Sequence, residues 1–185
     1  MTRLRHPIGP GDHILGPGDA PATLLEYGDY ECPHCARAFF VVEAVRERLG
    51  NRMRYVFRHF PLRRLHPHAL LAAQAAEAAG AQGQFWPMHA MLFEHQAALE
   101  PEDLASYAEA LALNVVRFAD DLRADATLAR VEEDFRSGIR SGVNGTPTFF
   151  INDERFDEGW DVEILVASLA KAAAESRAGA ARSST

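Results

Sequence analysis

The chain has 185 residues and a 48% hydrophobic composition, which is enough to bury one core and fits a single domain that carries a sizeable insertion. Acidic residues (26) outnumber basic ones (19), and the formal net charge of −7 argues against binding to nucleic acid or to an anionic membrane surface. No signal peptide is visible, and no apolar run reaches the roughly 18 residues that cross a bilayer, so we expect a cytoplasmic protein.

The first segment, residues 1–21, is rich in Gly and Pro and shows little periodicity. We expect it to be an extended lead-in that lies over the fold. Residues 22–28, ATLLEYG, predict a strand because they are few, mostly apolar and end at Gly28. Glu26 is the exception in this apolar run.

Residues 32–49 predict a helix, since apolar residues recur at helical spacing and Gly50 supplies a stop. Pro33 suits the first helical turn, where its missing N–H costs nothing. Residues 52–60 then alternate between apolar and polar, which predicts a second strand. The first three elements are therefore β-α-β.

The stretch 62–141 is Ala-rich and has few β-branched clusters, so it predicts an all-helical insertion. The breaks within it come at Gly-rich, Pro-containing and Asn or Asp positions. They divide the insertion into helices near 67–80, 84–96, 101–112, 114–123 and 126–141.

The last part predicts two strands, 144–152 and 154–159, joined by a tight turn at Asn152 and Asp153. A final helix over 161–175 follows, and residues 176–185 predict a flexible tail. The complete order predicts an α/β protein with a thioredoxin-like fold, built from 22–61 and 142–175 and interrupted by the helical insertion.

The two cysteines of the chain, Cys32 and Cys35, are three positions apart at the start of the first helix. A disulfide between them would close so short a loop that it stabilises by only ~2 kcal/mol, against ~4–5 kcal/mol for a long loop. The pair is therefore better explained by chemistry, either catalytic or metal-binding, than by a structural disulfide.

A helix start is a favourable place for a thiolate, because unpaired N–H groups and the helix dipole stabilise an anion there. His34 acts in the same direction if it is cationic or donates a hydrogen bond. We expect Cys32, the outer sulfur, to form mixed disulfides and Cys35, one turn deeper, to resolve them.

Three motifs, CPHC at 32–35, LLEYGDYECPHC leading into it and GVNGTPTFFIN at 142–152, resemble the DsbA-like branch of the thioredoxin superfamily. The resemblance implies that Cys32 is the nucleophile and Cys35 the buried resolver. It also implies that Thr146 and Pro147 form a cis-proline loop that binds a substrate strand.

The role of Glu26 is open from the residues alone, because it fits both a solvent-facing strand position and a buried carboxylate. The resemblance favours the second, in which Glu26 has a raised pKa and removes a proton from Cys35.

A C-x-x-C pair can also be half of a zinc site, but a second pair is absent. His34 lies between the thiols and His59 is on another strand, so a four-ligand site would need further histidines such as those of the HPH motif at 66–68. We predict no metal and no cofactor. The remaining histidines of the insertion, His89 among them, predict surface or capping positions.

The sequence therefore predicts a thiol-disulfide oxidoreductase with a redox-active Cys32–Cys35 pair and a Cys-Pro-His-Cys active site. Its expected partners are protein thiols and disulfides or small thiols such as glutathione. Two alternatives stay open, namely a redox-inactive binding or chaperone module on the same fold and a metal-binding protein that uses both cysteines. The sequence indicates neither the direction of exchange in the cell nor an oligomeric state.

Overall fold

The computed structural model describes residues 2–183, with side chains up to residue 179. A five-stranded mixed sheet has the strand order β1-β3-β2-β4-β5, and only β2 and β3 are parallel. The strands are β1 (His13–Leu15), β2 (Ala22–Gly28), β3 (Met53–His59), β4 (Thr148–Ile151) and β5 (Glu154–Phe156). The helices are α1 (Pro33–Leu49), α2 (Ala69–Gly80), α3 (Phe85–Glu94), α4 (Pro101–Ala110), α5 (Val115–Arg123), α6 (Asp125–Arg140) and α7 (Val162–Ser183).

The predicted α/β thioredoxin-like fold is confirmed, since β2-α1-β3 and β4-β5-α7 build the sheet unit and α2–α6 form the insertion between them. Every residue of β2 is buried, because the strand is central and both faces of the sheet are covered. One face packs against α1, α7 and helices of the insertion, and the other against the N-terminal segment and Phe135 of α6.

The β4–β5 hairpin turns at Asn152 and Asp153, as the sequence predicted. Both residues have positive φ, 46° and 70°, which is the conformation that a two-residue type I′ turn requires. Asn and Asp tolerate it better than most residues. The strands are shorter than the predicted 144–152 and 154–159, because the chain before Thr148 forms a loop and the ladder with β5 ends at Phe156.

The N-terminal segment lies over the fold as expected, but it is not merely an extended lead-in. His13–Leu15 pairs antiparallel with β3 and forms one edge of the sheet, a strand that the prediction missed. Leu4 and Ile8 pack on the second sheet face. A three-residue strand carries too little alternation to be detected, and its pairing with β3 decides its conformation.

A buried ion pair fixes this segment to the sheet. The Arg58 guanidinium donates to both carboxylate oxygens of Asp12, at 2.7 and 2.9 Å, and to the backbone oxygens of His6 and Pro7. The side chains of Arg58 and Asp12 are only 1% and 6% exposed. A buried charge needs such complete pairing, so removing either partner would be costly.

The five predicted helices of the insertion are all present, each within a few residues of its predicted ends. Alanines on α2 pack into the main core, together with Phe85, Met88 and Leu92 of α3. His89 is also buried, so the predicted surface position was wrong. Its Nδ1 lies 3.0 Å from the Tyr30 hydroxyl, and aromatic rings surround it.

The last helix continues to Ser183 and does not end at 175 as predicted. Alanine-rich sequence has high helix propensity, and neither a proline nor a cap interrupts it. Of the predicted tail 176–185, residues 176–183 are therefore helical and residues 184–185 lie outside the described part. Among the described helices, none combines the length and apolar character that crossing a membrane requires.

Candidate active site

The two cysteines lie where α1 begins. Cys32 is the N-cap residue with an extended backbone (φ −77°, ψ 120°), and Pro33 occupies the first helical turn without losing a hydrogen bond. Cys35 follows on that turn and is fully buried, whereas Cys32 is 4% exposed. Both are free thiols, so this is the reduced form of the pair. His34 and Pro33 are exposed beside them.

The loop before β4 faces the outer sulfur. The Thr146–Pro147 peptide bond is cis, and the Cys32 thiol donates to the Thr146 carbonyl oxygen with an S···O distance of 3.5 Å. The Thr146 hydroxyl is buried and has no hydrogen-bond partner in the described structure. It is therefore available to donate to Cys32 once the sulfur becomes an anion.

Glu26 is buried beneath the pair, with 1% of its surface exposed. The Tyr55 hydroxyl donates to Glu26 Oε2 at 2.7 Å, while Oε1 has no partner. Among the described side chains, Glu26 Oε1 and Thr146 Oγ1 are the two buried polar atoms without a partner. Buried polar atoms without a hydrogen-bond partner are rare. Two of them beside one dithiol indicate groups that form their hydrogen bonds only during a reaction.

Two further residues position the active-site loop, and the sequence prediction named neither. Gln96 Nε2 donates to the carbonyl oxygens of Tyr30 and Cys32, at 2.8 and 2.9 Å. Asp29 accepts from the backbone N–H groups of Glu31 and Leu62 and binds His66, all at 2.8 Å. Because Gln96 lies 64 residues from Cys32, no local sequence pattern could reveal this contact.

Known proteins resemble this chain over almost its whole length. The thioredoxin family model matches residues 9–171. A thioredoxin-like oxidoreductase from Silicibacter pomeroyi is 26% identical, with a TM-score of 0.79 over 89% of this chain and 93% of that one. Wolbachia pipientis α-DsbA1 is 22% identical, with a TM-score of 0.78 over 95% and 97% of the two chains.

The chain belongs to the thioredoxin family. Its fold is also that of the two solved structures.

A third relative has a different name. The Na⁺/H⁺ antiporter NhaA 1 of Salinispora arenicola is 47% identical over 177 residues, which is 94% of this chain but 27% of that protein. The chain thus spans about a quarter of the relative that it matches. That quarter is the thioredoxin-like part, so the antiporter name says nothing about the chemistry of this domain.

The electrostatics of the site shift the pKa values of the two sulfurs in opposite directions. The Cys35 thiol, which donates a hydrogen bond to the Cys32 sulfur, is the main reason why the pKa of Cys32 falls to about 5, against the opposing effect of burial. The Thr146 side chain and the backbone N–H groups of Cys35 and His34 lower the pKa of Cys32 further. His34 therefore acts through its backbone, at the helix start.

The inner thiol is shifted the opposite way. Burial raises the pKa of Cys35 well above its usual value, and its hydrogen bond to Cys32 and the charge of Glu26 add to this. Burial also raises the pKa of Glu26 to about 8, although the hydrogen bond from Tyr55 opposes the shift. At neutral pH, Glu26 therefore carries a proton in most molecules and can exchange it with a neighbour.

In the described part of the chain, one group of three potential metal ligands lies close together, and it contains neither cysteine. The site thus provides an anionic outer sulfur, a protonated inner sulfur and a buried acid. Those are the groups that disulfide exchange requires.

Replacing Gln96 with alanine should slow disulfide exchange about 10-fold, because the loop that holds Cys32 loses two hydrogen bonds and its alignment with α1. The matched control is Gln74→Ala. Gln74 also donates to a carbonyl, that of Leu122, but within the insertion. Steady-state exchange rates measure both variants, and equal rates for the two would show that Gln96 does not position the loop.

Proposed function

We propose that this protein is a thiol-disulfide oxidoreductase that exchanges disulfides with protein or small-thiol substrates. The observation that carries the proposal is the opposite shift of two neighbouring thiols, with the pKa of Cys32 lowered to about 5 and that of Cys35 raised. At pH 7 a thiol with a pKa of about 5 is roughly 99% ionised, whereas one with the ordinary value of 9.0 is roughly 1% ionised. Only Cys32 is then a nucleophile or a good leaving group.

In the oxidising direction, a substrate thiolate attacks Cys32 Sγ of the Cys32–Cys35 disulfide. The bond between the two protein sulfurs breaks, and its electron pair passes to Cys35, which takes up a proton. A second substrate thiolate then attacks the substrate sulfur of the mixed disulfide, and Cys32 leaves as a thiolate. The substrate loses two electrons and the protein gains them. Reduction of a substrate disulfide is the reverse sequence.

The role of Glu26 in this cycle is to exchange protons with Cys35. Cys35 has to gain a proton when it leaves and lose one when it attacks, yet it is buried and has no direct access to water. Glu26 lies close enough for its charge to raise the pKa of Cys35, and its Oε1 atom is unpartnered. A carboxyl with a pKa of about 8 can both supply and accept that proton near neutral pH.

The cis-proline loop supports binding of an extended substrate. Thr146 and Pro147 are half-buried and stand beside Cys32, so a substrate strand paired with this loop would bring its sulfur to the thiolate. Backbone pairing gives affinity with little demand on sequence, which suits a range of protein substrates. Glutathione and other small thiols would reach Cys32 without pairing to this loop. The expected cytoplasmic location remains a prediction.

The test is the redox equilibrium of the Cys32–Cys35 pair with glutathione. A stabilised thiolate favours the reduced protein, and tenfold in the equilibrium constant corresponds to about 30 mV, so we expect a potential above about −200 mV and net oxidation of substrates. A potential near −270 mV would contradict the oxidising direction. Failure to form any mixed disulfide with glutathione or a model dithiol protein would contradict the function itself.

A further inference from the structure

A second cluster of reactive side chains lies away from the dithiol. His13 of β1, His59 at the end of β3 and Glu77 of α2 meet at one point. Glu77 Oε1 is 2.9 Å from His13 Nε2 and 2.9 Å from His59 Nε2. The three possible ligand atoms all lie within 4.8 Å of one another. The redox cycle uses none of these residues.

The cluster is mostly enclosed. The side chains of His59, Glu77 and His13 are 1%, 11% and 20% exposed, so His13 is the most accessible of the three. The His13 ring stacks on Phe85 with ring centroids 3.4 Å apart, which fixes its orientation. The three residues come from the N-terminal segment, the sheet and the insertion, so no local sequence motif contains them.

One cationic side chain, Arg130, lies near Glu77. Arg130 Nε lies 3.9 Å from Glu77 Oε1, a distance at which an ion pair is weak. The same guanidinium is bound to Asp134 through a hydrogen bond of 2.5 Å, and Asp134 is buried. Arg130 therefore has its own counter-ion, and Glu77 keeps a charge available for the two histidines or for another cation.

We propose that His13, His59 and Glu77 form a binding site for a divalent transition-metal ion, with Zn²⁺ as the best-suited ion. Two imidazoles and one carboxylate are a donor set that binds Zn²⁺ in tetrahedral geometry with one position left for water. Carboxylate-only sites select hard cations such as Mg²⁺ and Ca²⁺, whereas imidazole nitrogens favour Zn²⁺ and its first-row neighbours.

The distances from Glu77 Oε1 to the two imidazole nitrogens agree with this assignment. Ligand bonds of about 2.0–2.1 Å at tetrahedral angles place neighbouring donor atoms about 3.3 Å apart. The observed separation of 2.9 Å between each Nε2 atom and Oε1 needs to open by only about 0.4 Å. The metal would replace the Nε2 protons that now point to Glu77, so binding releases protons or moves them to Nδ1.

Binding would connect three parts of the fold that are distant in sequence. Glu77 is 64 residues from His13 and 18 from His59. A metal held by all three would cross-link the N-terminal strand and the insertion to the sheet. It would thus stabilise the folded state.

The test uses the full chain with both cysteines replaced, Cys32→Ser and Cys35→Ser, so that no thiolate competes for the metal. After treatment with a chelator, the protein is titrated with Zn²⁺ by calorimetry and with Co²⁺ by visible absorption. We expect one ion per chain and the Co²⁺ bands of a four-coordinate site. Absence of saturable one-to-one binding would overturn the proposal.

Variants in the same background locate the site. His13→Ala and Glu77→Gln should each weaken Zn²⁺ binding at least about 100-fold, the upper end of the loss seen for residues that merely support a ligand. His95→Ala is the matched control, since His95 is exposed just after α3 and its Nδ1 bonds to the Met91 carbonyl, away from the three ligands. Equal affinity in the His13→Ala and His95→Ala proteins would place the metal elsewhere.

Thermal unfolding provides a second readout that does not depend on spectroscopy. At a free Zn²⁺ concentration of about 100 times the dissociation constant, the melting temperature of the Cys-free protein should rise by about 5–10 °C. The His13→Ala protein should show no such rise. A rise of the same size in that variant would mean that the ion binds without His13 and would contradict the proposal.

Discussion

Replacing Cys32 with serine should lower disulfide-exchange turnover on the order of 10³-fold or more, because a serine hydroxyl is neither ionised at neutral pH nor able to form a disulfide. Its partners in the site would remain in place, since serine has nearly the same shape and can still donate to the Thr146 carbonyl. Stopped-flow or steady-state assays with a small disulfide measure the loss. His95→Ala, which changes an exposed residue, should keep the full rate.

The companion variant Cys35→Ser separates the two thiols. Without the inner sulfur, the mixed disulfide between Cys32 and a substrate cannot be resolved, so it should accumulate and be visible by non-reducing electrophoresis or mass spectrometry. A Cys35→Ser protein that turns over normally would contradict the assigned roles. If Cys32→Ser retained full activity in the cell, the binding or chaperone alternative would be favoured over exchange.

The parts of the fold that sequence could predict are those governed by local rules. The first helix has a proline where the first turn tolerates it and an apolar stripe, so its start at the cysteines follows from neighbours in sequence. The hairpin turn at Asn152 and Asp153 is also local, because two residues that tolerate positive φ connect two apolar runs. The helices of the insertion follow from composition and breaks.

What sequence could not predict depends on contacts between distant residues. The three-residue strand at His13–Leu15 exists because β3 pairs with it. His89 is in the core because Tyr30 supplies its hydrogen bond and aromatic rings surround it. Gln96 reaches the active-site loop from the turn between α3 and α4. Neither propensity nor periodicity encodes such pairings, and for the same reason the residues alone left Glu26 open between core and surface, whereas the family resemblance favoured the core.

Burial lets Glu26 exchange protons near neutral pH, but it also lowers the stability of the folded protein at that pH. Its pKa is about 8 in the folded protein, mainly through burial, against an ordinary value of 4.5. The folded state therefore binds the proton of this acid more tightly than the unfolded state does. The protonated acid contributes to the free energy of unfolding. This contribution is fully present below pH 4.5 and is progressively lost as the pH rises through 8. The proposed proton transfer to Cys35 thus comes at the expense of stability near neutral pH.

Glu26→Gln should therefore change rate and stability in opposite directions. Glutamine still accepts the Tyr55 hydrogen bond but cannot transfer a proton, so resolution of the mixed disulfide by Cys35 should slow about 10²-fold, and the rate should lose its dependence on a group near pH 8. The free energy of unfolding should rise by about 3 kcal/mol at pH 7 and hardly at all at pH 4. Single-turnover kinetics from pH 5 to 9 and denaturant titrations at both pH values measure the two effects.

The control Glu158→Gln changes an exposed acid and should alter neither the rate nor the stability. A pH-independent gain in stability would show that Glu26 is ionised in the folded protein, and its role as proton carrier would then be lost.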